Sequence, residues 1–470
     1  MLRKIEVSNF KSFDNFVLDL SKNNKEIKNL AAVYGENGSG KSTIVSVLHF
    51  IDLSLDTVHA SKKLLELISD NENFKDIIME KMKYDFSLNV NFSELIEKNN
   101  VLPLVSSNSN YSPTTIKIIF ELNGDEGEYE IHFDQNGLVF ESLIFLINKQ
   151  KGTLYKIEKD FKNGMKIHLS PQLFPSNKQI ENSLKNEVSS VWGQHSFLSI
   201  YKYYVSTQLN KDSIKDINYN LQRVLNFLGE INVLYKAKNS SSMSLASKKR
   251  LLARIAQGEF KNYDKPDFKV QFETELTEME EALNQYFPML YTDIQKVFYK
   301  IEDKNGKEAK YKLYFQKIIS GKLMEVPHNL ESTGTQQLLA IFPFIVAFLE
   351  GGTVIVDEID EGIHDLLMKR IIKSIMELIE DSECEVGQLI FTTHNTTLMQ
   401  DIIGPKEIYL IELDSNASKR IISLEKMEKN IQKNHNIFKL YLERQLGGTP
   451  FDMDLDLEEI SLILNISGDH

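Results

Sequence analysis

Residues 35–42 read Gly35-Glu36-Asn37-Gly38-Ser39-Gly40-Lys41-Ser42, followed by Thr43. Gly35 and Gly40 frame four residues and lead into Lys-Ser, the phosphate-loop pattern. Glycines let the backbone curl until several N–H groups face one anion, and a helix beginning at the lysine adds its positive end. Lys41 has the reach for β- and γ-phosphates, and the Ser42 hydroxyl is placed for a divalent cation. The flanks agree. Ala31-Ala32-Val33-Tyr34 reads as a short buried strand, and Ser42 to Phe50 as an amphipathic helix. Asn37, Gly38, Ser39, Gly40, Lys41, Ser42 and Thr43 are therefore expected to cradle a nucleotide.

Such a loop needs carboxylates opposite it. Thr353-Val354-Ile355-Val356-Asp357-Glu358 is a short apolar run ending in two acids. The first, Asp357, suits a metal-ordering role, and the second, Glu358, can polarise an attacking water. Upstream, Glu331-Ser332-Thr333-Gly334-Thr335-Gln336-Gln337 opens an apolar helix from Leu338, so a hydroxyl and bare N–H groups face outward. Downstream, after a helix over Asp365 to Ile379, Gln388 to Thr393 reads as a strand ending at His394 and Asn395.

Net charge is −13, from 54 basic and 67 acidic residues, so no global field draws nucleic acid to the chain. Lys248-Lys249-Arg250 with Arg254 forms one local basic spot, which leaves DNA contact open. A single cysteine, Cys384, excludes an intrachain disulfide framework and a Cys-based zinc site. The opening Met1 to Ile5 has no signal-peptide core, and the apolar run Leu338 to Leu349 is too short to span a bilayer. A cytoplasmic protein without a membrane partner is expected.

Residues 2–20 alternate as a strand pair, and Lys22 to Lys25 read as a hairpin turn. Ser54 to about Asn110 is helical and charged, closing on the Ser106 to Asn110 loop. A β-meander follows, with strands at Ile116 to Phe120, Tyr129 to Phe133 and Leu138 to Leu146. Ile180 to Phe287 reads as mostly helical, with a heptad-like piece at Leu221, Val224, Leu225 and Leu228 and a break at Ser240-Ser241-Ser242. A second hairpin joins Val297 to Ile301 with Lys310 to Ile319. The expected division is an N-terminal lobe over 1–175, a helical insertion over 176–295 and a C-terminal lobe over 296–470.

In this order, phosphate loop, insertion, Ser-Thr-Gly-Thr, acidic strand and histidine, the chain resembles the ABC-type ATPase heads of SMC proteins, RecF and the Rad-family break-repair ATPases. Ile5 to Phe13 resembles their first-strand motif, whose basic residue, here Lys11, lies near the nucleotide. Within that group the chain is similar to the stand-alone ATPases of bacterial abortive-infection and anti-phage systems, the AbiL/RloA-like proteins and the ATPase of the PARIS system. Glu141-Ser142-Leu143, Trp192 to Leu198 and Tyr441 to Pro450 are further points of likeness.

The resemblance implies an α/β P-loop NTPase of ABC-head type, with an antiparallel β subdomain and a helical insertion. It implies ATP and Mg²⁺ as ligands and slow hydrolysis to ADP and phosphate. Lys41, Ser42 and Thr43 would hold phosphates and metal, Asp357 would order the metal, Glu358 would be the base and His394 would meet the γ-phosphate. Ser332 and Gly334 would serve the nucleotide of a second protomer in a head-to-head homodimer or higher oligomer, with His364 at that interface. The signature departs from the transporter Ser-Gly-Gly-Gln, which argues against a transporter subunit. No Q-loop glutamine is assigned; Gln135 and Gln150 are the options. The function implied is a switch in an anti-phage system that holds and releases a separate effector, a nuclease, in response to a phage product. The alternative is a RecF/Rad-like repair ATPase that binds DNA when ATP is bound. The tail Asp452 to Glu459 is expected to be a solvated acidic end, because too little chain follows His394 for a TOPRIM nuclease domain.

Overall fold

The computed structural model describes residues 1–22, 26–69, 91–103, 112–160, 164–175, 178–209, 217–237, 240–244, 258–263, 266–305, 308–381, 385–400, 402–413, 418–427 and 437–446. The Ser106 to Asn110 loop, the Lys248 to Arg254 basic spot, Cys384 and the acidic tail lie outside these residues, as do parts of the Lys22 to Lys25 turn and of the Tyr441 to Pro450 segment.

Three short strands, Leu30–Tyr34, Thr353–Val356 and Gln388–Thr392, bury every residue they contain. Near-continuous apolar runs of this kind belong to parallel strands covered on both faces. They form the centre of a seven-stranded sheet in the order Ser240–Ser244, Asn232–Ala237, Thr353–Val356, Gln388–Thr392, Leu30–Tyr34, Ile408–Leu413, Lys419–Ser423. The five inner strands are parallel and the two outermost are antiparallel additions. The register aligns Leu234 with Val356, Val356 with Phe391, and Thr392 with Val33. Tyr235, Asp357, Thr393 and the phosphate loop therefore emerge along one carboxyl edge, where open α/β sheets bind ligands.

A second seven-stranded sheet is wholly antiparallel. It runs from Gly164–Leu169 through Gln150–Asp160, Gly137–Ile147, Asp125–Asp134 and Thr114–Leu122 to Leu2–Phe10 and Phe13–Asp19. The expected meander is thus two strands longer and joins the opening strand pair. Alternating burial along Thr114–Leu122 turns Ile116, Ile118 and Phe120 to the core.

The helix Lys41–Ser54 lies between the two sheets. The expected amphipathic pattern fails here, since Thr43 to Ile51 are all buried. Phe50 meets Phe10, Phe92 and Phe133 at centroid distances of 6.3, 5.4 and 5.0 Å, and one apolar cluster joins both sheets through this helix. A helix covered on both sides has no polar face to keep. Gln388, fully buried, ties the sheets at the opposite edge. Its amide accepts from the Leu2 N–H at 2.8 Å and donates to Leu2 O and Lys28 O at 2.8 and 3.0 Å.

The stretch read as a helical insertion does hold the helices Lys178–Val191, Phe197–Gln208 and Tyr219–Gly229, and Leu221, Val224, Leu225 and Leu228 form the buried face of the last. The same stretch also supplies Asn232–Ala237 to the parallel sheet, and the Ser240–Ser244 segment expected as a break pairs with it. Backbone pairing along an edge asks little of side-chain type, so serines serve. Further on, Pro266–Leu290 packs against an antiparallel sheet built around Ile294–Asn305 and Glu308–Ile319, the expected second hairpin. Among the described residues no helix is long and apolar enough to cross a membrane. The fold is α/β: a parallel-cored sheet with the phosphate loop at its carboxyl edge, an antiparallel sheet and added helices, as a P-loop NTPase requires.

Candidate active site

The phosphate loop links the buried strand Leu30–Tyr34 to the helix at Lys41, and its glycines have specific work. Gly40 caps that helix at φ 111°, and a Cβ there would come within 2.5 Å of the Phe13 ring. Gly38 also has positive φ, 78°. The first helical turn carries no acidic residue, so its N–H groups keep their positive end for an anion. Lys41 is almost fully buried and folds back over the loop, donating to Gly35 O and Glu36 O at 2.8 Å each. Burial lowers its pKa to about 8, against the opposing pull of Glu358, Asp357, Asp360 and Glu36. The Ser39 hydroxyl is buried without a hydrogen-bond partner.

The two acids follow Val356 at the sheet edge. Asp357 is fully buried; Thr392 donates its hydroxyl to Oδ1 at 2.7 Å, and the Ser42 hydroxyl and Lys236 N–H also face the carboxylate. Burial nevertheless raises its pKa above the usual 3.8. Its Oδ2 is buried with no hydrogen-bond partner, so the carboxylate is desolvated and half satisfied. Glu358 has a left-handed backbone, φ 47°, and its N–H donates to the same Thr392 hydroxyl at 2.7 Å. One threonine thus fixes both carboxylate-bearing residues.

His394 is exposed, one residue past the buried Thr393, and its N–H donates to Asp360 Oδ2 at 3.3 Å. Burial and then the Lys41 charge lower its pKa, while Asp360 and Glu358 pull the other way. Lys41, Glu358 and His394 therefore share one electrostatic neighbourhood. Lys11 approaches from the antiparallel sheet, with positive φ and with Nζ 3.5 Å from the Tyr235 hydroxyl and 5.5 Å from that ring. Burial lowers its pKa to about 8 and Asp357 opposes the shift. His49, its ring tilted by 33° to that of Tyr235 at a centroid distance of 5.3 Å, is pushed down to about 4 by burial and by Lys11.

The structure brings Asn37 to Thr43, Lys11, Asp357, Glu358 and His394 to this one edge. Ser332 and Gly334 make no described contact with the phosphate loop. Ser332 is exposed and caps the helix Thr333–Leu349, accepting from Thr335 N at 3.2 Å. Gly334 packs on the turn after the acids, where an added Cβ would sit 2.7 Å from Gly362 O. His364 caps the next helix, accepting from Leu366 N at 3.2 Å. Gln150 is exposed at the start of an antiparallel strand, and Gln135 lies beside Ser93 and Asn100. Neither joins the site.

Four contributors escaped the sequence reading. Thr392 carried only the look of a strand residue. Tyr235 and Lys236 lie in the stretch read as helical, and no local signal marks them. Lys419, whose Nζ donates to Gly38 O and Ser12 Oγ at 2.8 and 2.9 Å, arrives from the far strand of the sheet.

Among solved structures that match is the SMC head domain from Thermotoga maritima, at 14% identity and TM-score 0.39, covering 90% of this chain and 98% of that one. No curated protein matches the sequence. A family model matches residues 30–400, from the phosphate-loop strand through His394. With the match spanning most of the chain, and with the loop, acids and histidine assembled on one sheet edge, the chain belongs to the AAA-domain family described as "AAA domain, putative AbiEii toxin, Type IV TA system".

Proposed function

We propose that the chain is a cytoplasmic ATP-binding and ATP-hydrolysing switch of a bacterial anti-phage system. The observation that carries this reading is the grouping of Lys41, Ser42, Asp357, Glu358 and His394 along one carboxyl edge of the parallel sheet. The orphaned Asp357 Oδ2 and the adjacent Ser42 hydroxyl suit a hard, oxygen-seeking cation, so these two residues would hold Mg²⁺. When bound, the ion neutralises phosphate charge. Asn37 to Thr43 with Lys41 bind and orient the phosphates, Lys11 adds positive charge beside them, Glu358 takes the proton from the attacking water, and His394 steadies the γ-phosphate.

Ser332, exposed at the start of the helix Thr333–Leu349, and the half-buried Gly334 make no described contact with their own phosphate loop, which supports their use by the nucleotide of a second copy. His364 would lie at that junction. ATP then favours a head-to-head dimer or larger assembly, and hydrolysis lets it part. The toxin–antitoxin wording of the family description supports a place in a two-component system, and in this reading the chain holds a separate effector, a nuclease, until a phage product triggers release. The lobes over 1–175 and 296–470 would form the head together with the strands Asn232–Ala237 and Ser240–Ser244, leaving the helices of the intervening stretch as the accessory region.

The test is a pull-down of Glu358→Gln protein with ATP and Mg²⁺ from its native host, with mass spectrometry and a nucleic-acid assay on one eluate. A stoichiometric effector without DNA is the expected result. DNA with no stable effector overturns the held-effector switch in favour of a repair ATPase.

A further inference from the structure

We infer that Lys236 is a positioning residue for hydrolysis: its ammonium holds the main chain of Glu358 in the left-handed conformation that sets the carboxylate beside Lys41 and His394. The inference rests on reading Glu358 as the hydrolytic base.

Glu358 adopts φ 47°, a region that residues with a Cβ avoid and keep only when the surroundings over-determine it. Three contacts do so here. Its N–H donates to Thr392 Oγ1 at 2.7 Å, and its carbonyl accepts from Glu361 N and from Lys236 Nζ, both at 3.1 Å. The first two come from the neighbouring strand end and from the turn itself. Lys236 comes from the other side, carried there by the parallel pairing of Leu234 with Val356.

Lys236 also pairs with the Glu361 carboxylate. Glu361 is 60% exposed, so that ion pair is screened and weak, whereas Lys236 is only 13% exposed. The desolvated, charge-assisted bond to the Glu358 carbonyl is therefore the consequential one. Without it the Glu358 carbonyl keeps only the Glu361 N–H, and the two remaining contacts hold the strained φ less firmly, so the carboxylate spends less time in place. Lys236 makes no described contact with the phosphate loop, so nucleotide grip is unaffected. The effect falls on the chemical step alone.

The experiment measures kcat for ATP hydrolysis and the equilibrium affinity for a fluorescent ATP analogue in the full chain carrying Lys236→Met, Lys236→Arg or Glu358→Gln. Lys236→Met should lower kcat roughly tenfold or more, the effect of losing one hydrogen bond from a charged donor, with analogue affinity unchanged. Lys236→Arg should recover most of the rate. Wild-type kcat in Lys236→Met overturns the inference. So does a fall in kcat matched by equal loss of affinity and a lowered unfolding midpoint, which marks a merely structural lysine. If Glu358→Gln hydrolyses at the wild-type rate, the role of Glu358 falls and that of Lys236 with it. If Glu358→Gln is inactive while Lys236→Met is normal, only the Lys236 inference falls.

Discussion

Replacing Thr392 by valine removes one hydroxyl and leaves the shape of the strand end intact. That hydroxyl donates to Asp357 Oδ1 and accepts from Glu358 N–H, each at 2.7 Å, at a position 1% exposed. The bond to the carboxylate is charge-assisted and contributes about 1.5–3 kcal/mol; stranding the Glu358 N–H costs about 1–3 kcal/mol more. Asp357 already has an unpartnered Oδ2, so the change leaves a buried carboxylate with still fewer donors. A loss of roughly 3–5 kcal/mol in folding free energy is expected, read as a lower urea midpoint. The kcat for ATP hydrolysis should fall well below that of Thr392→Ser, which keeps both bonds. Equal midpoints and equal rates for the valine and serine variants would refute the claim that this hydroxyl fixes the acid pair.

Other consequences follow from particular contacts. Asp357 has its pKa raised by burial above the usual 3.8, so between that value and its folded pKa the folded state binds the extra proton. Stability from this group is therefore present at low pH and lost as pH rises through the folded pKa. Asp357→Asn should raise the melting temperature of the nucleotide-free protein at neutral pH while abolishing Mg²⁺-dependent hydrolysis; a lower melting temperature would contradict the desolvation argument. Gly334→Ala places a Cβ 2.7 Å from Gly362 O, against backbone that cannot easily yield, and should weaken ATP-dependent assembly with nucleotide affinity of the monomer unchanged, as sedimentation and analogue titration will show. Glu141 is fully buried and accepts from Tyr129 and Tyr155 hydroxyls on Oε1, and from Trp192 Nε1 and Phe197 N on Oε2. In Glu141→Gln the amide NH₂ can turn toward the Tyr129 and Tyr155 hydroxyls, which can accept from it, whereas Glu141→Leu strands the Trp192 and Phe197 N–H groups. A loss of about 3 kcal/mol in denaturation is therefore expected for leucine and a smaller one for glutamine; equal stability of the leucine variant and wild type would contradict this.

The legible parts of the site were those whose chemistry is local. Gly35 to Ser42 announces itself because a phosphate cradle needs glycines and a lysine at fixed offsets, and Val354 to Glu358 because a buried strand must end before it can carry two acids. What stayed hidden depends on pairing across the chain. Nothing within Asn232–Ala237 tells that it lies beside Thr353–Val356, so Tyr235 and Lys236 could not be placed against Lys11 and Glu358. The helix after the loop looked one-sided because its sequence does not reveal that a second sheet covers the other side. Glu141 and the Trp192 segment are each points of likeness in the sequence, but 51 residues separate them and only the fold joins them in one hydrogen-bonded node.

In the proposed switch, ATP binds two copies of this chain together through sites neither completes alone. The most direct test of that pairing is the mass in solution of Glu358→Gln protein, by light scattering on a sizing column, with ATP and Mg²⁺ and without them. ATP-dependent pairing requires a dimer or larger assembly with ATP, a monomer without it, and a monomer in both conditions once Lys41→Ala is added. A monomer for Glu358→Gln with ATP bound would contradict it.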